Sequence, residues 1–354
     1  MLQAVAFHGV DLFCKPDKKL IMKGWGVKII GFGAYLPGEP ITNEELKQRL
    51  NLEFDPVKHA AVTGIKTRHW ADKSIATSHI AAEAGKQALE RAGIKASQLS
   101  RIILGTQTAD YINTAASCNV QQLLGATCPV GDTTASCSSF LYALDFGIRL
   151  VATGMEYVLV IGADMKSRSV RRTDQIFLPI FSDGAGAVLL TKCDPSEGFL
   201  DIQLWADGSG INKLYVPAGG SAMPASHETI DNDLHGTVMN MTGKELAENA
   251  AGKMAELAKN VCDNSNIGID DIDVFVPHQA NYYIMKKAAE ALSLPLEKME
   301  VTIDRVGNCI AGTVPITLNQ AFEKGKLTAG AYVLLTAAGA GYTGGAALYK
   351  VPAD

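Results

Sequence analysis

No charge of one sign dominates this chain. Its 354 residues carry 32 Lys and Arg against 37 Asp and Glu, a net charge of −5. A general basic field for nucleic acid is therefore excluded, and an acidic partner would need a local basic patch. No apolar run reaches the roughly 18 residues of a membrane span. No two of the seven cysteines (Cys14, Cys118, Cys128, Cys137, Cys193, Cys262, Cys309) form a CxxC pair, so no zinc site is expected. Their odd number and scatter suit a reducing, cytoplasmic setting. Gly31-Phe32-Gly33 is not completed to GxGxxG, and no βα unit follows directly, which argues against a dinucleotide fingerprint. Residues 1–22 lack the basic-then-apolar pattern of a signal peptide. They are read as an appendage ahead of the first convincing strand, with Met22 an alternative start.

What is present is apolar material for two cores: 47% of residues are hydrophobic and 19% charged, an ordinary globular balance. The chain is organised around Gly131 to Leu150, GDTTASCSSFLYALDFGIRL. Small and polar residues give way to Phe140, Leu141, Leu144 and Ile148 at helical spacing, which places Cys137 where a helix begins. A helix N-terminus carries free N–H groups and about half a positive charge, and that setting favours thiolate over thiol. The competing reading is a buried structural cysteine. Far downstream, His278 follows the apolar run Ile272 to Val276, so it projects from the end of a buried strand.

Two segments of the chain repeat each other. Thirty residues separate Gln107 from Cys137 and His278 from Asn308, and seventeen separate Cys137 from Gly154 and Asn308 from Gly325. Tyr157 to Gly162 then matches Tyr332 to Ala337, with four extra residues in the second copy. This spacing predicts two related α/β halves, 23–197 with the cysteine and 198–354 with the histidine and asparagine, joined at the turn-rich Asp194-Pro195-Ser196-Glu197-Gly198. Val27 to Ile30 reads as a strand followed by a turn-rich stretch to Gly38, Arg101 to Gly105 as a buried strand, and Thr42 to Leu50, Ser78 to Ala92 and Met241 to Asn260 as helices. Pro217 to Asp233, which carries His227, reads as a loop near the entrance of a site.

ASCSSF, VPHQAN and RVGN followed by Pro315 resemble the Cys–His–Asn motifs of the ketoacyl-acyl-carrier-protein synthase III branch of the thiolase superfamily. Thr63-Gly64-Ile65, Phe181 to Ala187 and Ala338 to Tyr342 add to the likeness, which runs from about Val27 to Tyr349. The resemblance implies a five-layered α-β-α-β-α thiolase fold and a homodimer. It implies an acyltransferase in which Cys137 takes an acyl group from a thioester. Malonyl-acyl-carrier protein then loses carbon dioxide, and its carbanion attacks the acyl-enzyme. By the same resemblance, His278 and Asn308 donate to the thioester oxygen during decarboxylation. The backbone of Cys137 and Ala340 forms the first oxyanion hole, and Asn281 orients the group. Phe181 to Ala187 reads as a structural loop near the site. No cofactor and no metal are implied.

The pattern also departs from the family. Lys58, Gln175 and Val62 stand where acetyl-CoA-dependent members place a tryptophan and two arginines, so the usual CoA clamp is not expected. The acyl donor is then a carrier-protein thioester or a CoA held differently. Arg171 and Arg172 are candidates for phosphate contacts, and Lys286 and Lys287 for carrier docking. Ile112-Asn113-Thr114, Ala338 and Cys309-Ile310 replace residues that shape the family's acyl pocket, which points to larger or differently shaped acyl groups. Two rivals remain: transfer of the acyl group to an O or N acceptor, and a non-catalytic carrier-binding scaffold.

Overall fold

A computed structural model describes residues 24–353, so the expected appendage lies outside the described residues. The first half runs β1 (Val27–Tyr35), β2 (Ile41–Thr42), α1 (Asn43–Leu50), α2 (Pro56–Thr63), β3 (Thr67–Arg68), α3 (Thr77–Ala92), β4 (Arg101–Gly105), α4 (Ala116–Leu124), β5 (Val130–Thr133), α5 (Ser139–Ala152), β6 (Val158–Met165) and β7 (Asp183–Lys192). The second runs β8 (Gly198–Ala206), β9 (Leu214–Tyr215), α6 (His227–Asp231), β10 (Val238–Met239), α7 (Gly243–Ser265), β11 (Ile272–Pro277), α8 (Tyr282–Ala291), α9 (Ile303–Val306), α10 (Thr313–Glu323), β12 (Tyr332–Gly339) and β13 (Thr343–Lys350).

The first sheet has the order β1-β7-β6-β4-β5 and the second β8-β13-β12-β11. Element for element these are the same sheet. β4 pairs parallel with β6 as β11 does with β12, and β6 pairs antiparallel with β7 as β12 does with β13. A parallel bridge between Phe275 and Met299 stands in the place of β5. α5 and α10 lie between the two sheets: Phe140, Leu144 and Ile148 share one core with Val314 and Leu318 and with strand residues of both sheets. α3 and α4 cover the outer face of the first sheet, and α7 and α8 that of the second. α3, α4, α7 and α8 each bury an apolar stripe against a sheet, whereas both faces of the middle layer are covered. The result is the five-layered α-β-α-β-α arrangement of the thiolase fold.

Four expectations are corrected. β1 does not stop at Ile30 but continues to Tyr35, past a bulge between Ile29 and Gly31. Gly31 and Gly33 are there for close packing: a Cβ at either would lie 2.1 or 2.0 Å from the carbonyl oxygen of Ala88 or Ala84 on α3. The segment from Phe181 to Ala187, read as a loop, opens β7 at Asp183, and a Cβ on its Gly186 would meet Pro315 of α10. The repeat also slips by three residues at the turn before α5 and α10, while the ends of those helices, Ala152 and Glu323, keep the expected spacing. Arg101 matches Ile272 at the start of β4 and β11, but Ser139 matches Thr313 at the start of α5 and α10. The counterpart of the Ser136–Ser138 turn is therefore Ile310–Gly312. Asn308 lies just before that turn, and not at the position of Cys137. The Pro217–Asp233 stretch is a loop only in part, since α6 begins at His227.

Candidate active site

Cys137 sits in a one-turn 3-10 helix, Ser136–Ser138, that leads from β5 into α5. Ser136 holds a φ of 53°, a left-handed conformation that a non-glycine residue adopts at a cost of about 1–3 kcal/mol. The surroundings hold it there. Ser136 Oγ donates to Gln107 Oε1 at 3.2 Å, and Ser139 Oγ donates to the Ser136 carbonyl at 2.7 Å. The glycine turn between β12 and β13 presses against the same point. A Cβ at Gly339 would lie 2.9 Å from the Cys137 nitrogen, and Thr343 Oγ1 donates to the Ala135 carbonyl at 2.7 Å. This brings the Ala340 N–H onto the Cys137 sulfur.

His278 follows β11 directly and is 1% exposed. Its main chain donates to the Thr336 carbonyl of β12 at 2.8 Å. Gln279, also buried, locks the strand end: its Nε2 donates to Pro277 O at 2.8 Å, and its Oε1 accepts from the Thr302 and Ile303 amides at 3.0 and 3.2 Å. His278 Nδ1 lies 2.6 Å from Thr313 Oγ1, which is also 3.0 Å from the Ile310 carbonyl. A hydroxyl has one proton to give. Given to Ile310, it makes Thr313 an acceptor for Nδ1–H and leaves the lone pair on Nε2. Given to Nδ1, it puts the ring proton on Nε2.

Asn308 is held through its main chain by the first half. Its N–H donates to Ile180 O at 3.1 Å and its carbonyl accepts from the Ser182 N–H at 3.0 Å. Its Oδ1 accepts from the Ile310 amide at 2.9 Å, which turns Nδ2 toward Ala280 O, 3.4 Å away. The carboxamide therefore faces the site as a donor.

Cys137, His278, Asn308, Ala340 and Asn281 all line one cavity of about 1310 Å³. Asn281 caps α8, its Oδ1 accepting from the Ile284 amide at 2.9 Å. The four basic candidates stand apart from this lining. Arg171 is paired with Asp233 at 2.8 Å and Arg172 lies over the Trp70 ring. Lys286 is paired with Glu290 at 3.7 Å and Lys287 lies over the Tyr283 ring. Lys58, Val62 and Gln175 are also outside the lining, Val62 exposed to solvent and Gln175 accepting from the Glu53 amide at 2.8 Å. The cavity has basic residues of its own that sequence reasoning passed over: Lys166, Arg168 and Lys253. Thr313 was missed too, because no motif marks a residue whose partner lies 35 positions away.

The expected thiolate is corrected. Burial pushes the Cys137 thiol up to about 11, and the Asp164 carboxylate adds to this. Lys166, the Ser136 side chain and the Ala340 amide pull the other way without prevailing. The helix start is real, but loss of water outweighs its partial charge. Burial likewise drives His278 down to about 3, so thiol and imidazole both line the cavity as neutral groups. Asp164 itself is held by Thr106 Oγ1, Thr108 Oγ1 and the Gln107 amide on Oδ1 and by the Ala311 amide on Oδ2, at 2.7–3.0 Å. It thereby ties the first half's strand ends to the second half's turn.

Known proteins resemble this chain in sequence and fold. The family model described as 3-Oxoacyl-[acyl-carrier-protein (ACP)] synthase III matches residues 131–208, and its C-terminal companion matches 262–351. The beta-ketoacyl-[acyl-carrier-protein] synthase III of Koribacter versatilis is 38% identical over 91% of this chain and 97% of its own. That of Caldanaerobacter subterraneus is 39% identical, with the same shares covered. The crystal structure of 3-oxoacyl-[acyl-carrier-protein] synthase III from Aquifex aeolicus superposes with a TM-score of 0.83 at 33% identity, covering 92% of this chain and 100% of that one. With motifs, fold and near-complete coverage in agreement, the chain belongs to the 3-oxoacyl-[acyl-carrier-protein] synthase III family.

Proposed function

We propose that the protein is an acyltransferase that joins an acyl thioester starter to malonyl-acyl-carrier protein by decarboxylating Claisen condensation. The observation that carries this is the meeting of Cys137 from the first half with His278 and Asn308 from the second in one cavity. The two halves, 23–197 and 198–354, divide the work: the first supplies the nucleophile and the second the proton chemistry.

In the first half-reaction His278 Nε2 takes the Cys137 proton as the sulfur attacks the acyl carbonyl. The Cys137 and Ala340 amides hold the oxyanion. The C–S bond to the donor breaks, the donor thiolate collects the proton from His278, and the acyl group stays on Cys137. In the second, the malonyl C–C bond to its carboxylate breaks. Carbon dioxide leaves, and the electron pair passes into an enolate whose oxygen accepts from His278 Nε2–H and Asn308 Nδ2–H. The enolate carbon attacks the acyl-enzyme, and the Cys137 thiolate leaves and regains a proton from water. The two half-reactions need opposite ring tautomers. Rotation of the Thr313 hydroxyl between Ile310 and His278 keeps Nδ1 hydrogen-bonded in either tautomer, while the proton itself leaves Nδ1 and reaches Nε2 through water in the cavity.

The acyl donor is carried by a protein or by a CoA gripped elsewhere than at Lys58, Val62 and Gln175. Tyr111 and Ile112, 73% and 79% exposed beside the cavity loop, support a homodimer, which light scattering on the purified protein checks; a monomer would contradict it. The six described cysteines are free thiols, which supports the cytoplasm, testable by cell fractionation.

Incubation with a panel of acyl thioesters, read by intact mass and by release of carbon dioxide from malonyl-acyl-carrier protein, tests the function. Cys137→Ala abolishes the adduct. His278→Ala keeps slow acylation and loses condensation by about 100- to 1000-fold. Asn308→Ala, which removes a donor used only in decarboxylation, keeps acylation and loses condensation; equal loss of both half-reactions in that variant contradicts the assignment. Acylation without carbon dioxide release would instead favour transfer to an O or N acceptor.

A further inference from the structure

Of the three cations on the cavity wall, two already have acceptors. Lys253 Nζ lies 2.7 Å from Glu256 Oε2, and Arg168 Nη2 donates to Asp72 O at 2.7 Å. Lys166 has none. It follows Met165 at the end of β6, is 7% exposed, and extends over the Phe181 ring with Nζ 5.5 Å from the centroid. Among the described residues no hydrogen bond or ion pair reaches its Nζ. Asp164 stands close enough to be felt but is fully occupied by two hydroxyls and two amides, and it makes no ion pair with Lys166. The Phe181 ring belongs to an apolar cluster with Phe177 and Ile310, against which Cys137 itself packs. An acyl group on the sulfur lies along this wall, within the field of the ammonium.

The Lys166 Nζ opens on the cavity, and an ammonium cut off from water there is costly unless a charged acceptor takes the place of the water. A plain alkyl chain cannot supply one. It would instead complete the desolvation of Lys166 and leave it unpaired, which is the arrangement by which polar sites reject apolar analogues. Burial already holds the Lys166 ammonium below its ordinary value against the pull of Asp164 and Cys137, so an entering carboxylate gains from restoring full charge. On the reading of the enzyme given above, we propose that Lys166 selects the starter: the cavity takes acyl thioesters whose chain bears a carboxylate, and the ammonium pairs with it while Cys137 is acylated.

The test is the first half-reaction alone, with the full chain and no malonyl thioester present, so that the extender's carboxylate plays no part. Matched donors are compared, butanoyl against succinyl and pentanoyl against glutaryl, each as CoA and as carrier-protein thioester. The rate of mass gain on Cys137 is read. The carboxylated member of at least one pair acylates roughly ten- to a hundredfold faster. Lys166→Met reverses that order, and Lys166→Arg keeps it. Wild-type enzyme that prefers the alkanoyl member of both pairs, or a carboxylate preference that survives in Lys166→Met, overturns the inference while leaving the condensing activity intact. Should Lys166→Met not fold, the wild-type order and Lys166→Arg decide. Failure of every donor to acylate Cys137 sinks the parent reading instead.

Discussion

A thiol pushed up to about 11 is almost wholly protonated at neutral pH, so the proposed mechanism has Cys137 depend on His278 to become a nucleophile. Its alkylation by iodoacetamide should rise about tenfold per pH unit from pH 7 toward 11. A profile already flat at pH 7 would show a preformed thiolate. Asp164→Asn removes the anion that raises the thiol, so the profile should move to lower pH. The same change sets an amide N–H against the Ala311 N–H if the carbonyl keeps the Oδ1 partners, and costs roughly 1–3 kcal/mol of stability in denaturant unfolding. The residue types at the site were legible in the sequence, because Cys137, His278 and Asn308 lie in distinctive motifs. The charge state was not. It depends on burial and on Asp164, which stands at the end of another strand, and neither is local to the helix start that suggested a thiolate. Lys166 and Thr313 escaped for a similar reason: each matters through what surrounds it.

Among the elements, caps and periodicity were the readable part. Thr42 caps α1 in a capping box with Glu45, its Oγ1 accepting from the Glu45 amide at 3.1 Å, and β4 falls on the residues where an apolar run was seen. Glycine was the ambiguous letter. Gly31 and Gly33 look like a turn in sequence because turns are the commonest use of clustered glycine. Here they clear a path for the α3 backbone, a long-range demand that no local pattern states. Gly33→Ala should therefore lower stability by about 1–3 kcal/mol, seen as an earlier unfolding midpoint with an unchanged denaturant slope. A variant as stable as the parent would mean that α3 can lift away. The three-residue slip of the repeat was hidden likewise, since equal spacings of 30 and 17 align letters without saying which turn each occupies.

At the scale of the molecule the two halves meet across one shared layer, α5 and α10, whose residues pack on both sheets at once. Such a layer has no spare face. A change of side-chain volume at Leu144 or Val314, both fully buried there, presses on two sheets together, and each sheet carries at its strand ends part of the reacting group. Cys137 and His278 are thus aimed from behind, by hydrocarbon far from any substrate. Directed evolution of this enzyme toward a new starter would find its finest adjustments of sulfur-to-imidazole spacing in that interior seam, where mutations never touch the acyl chain.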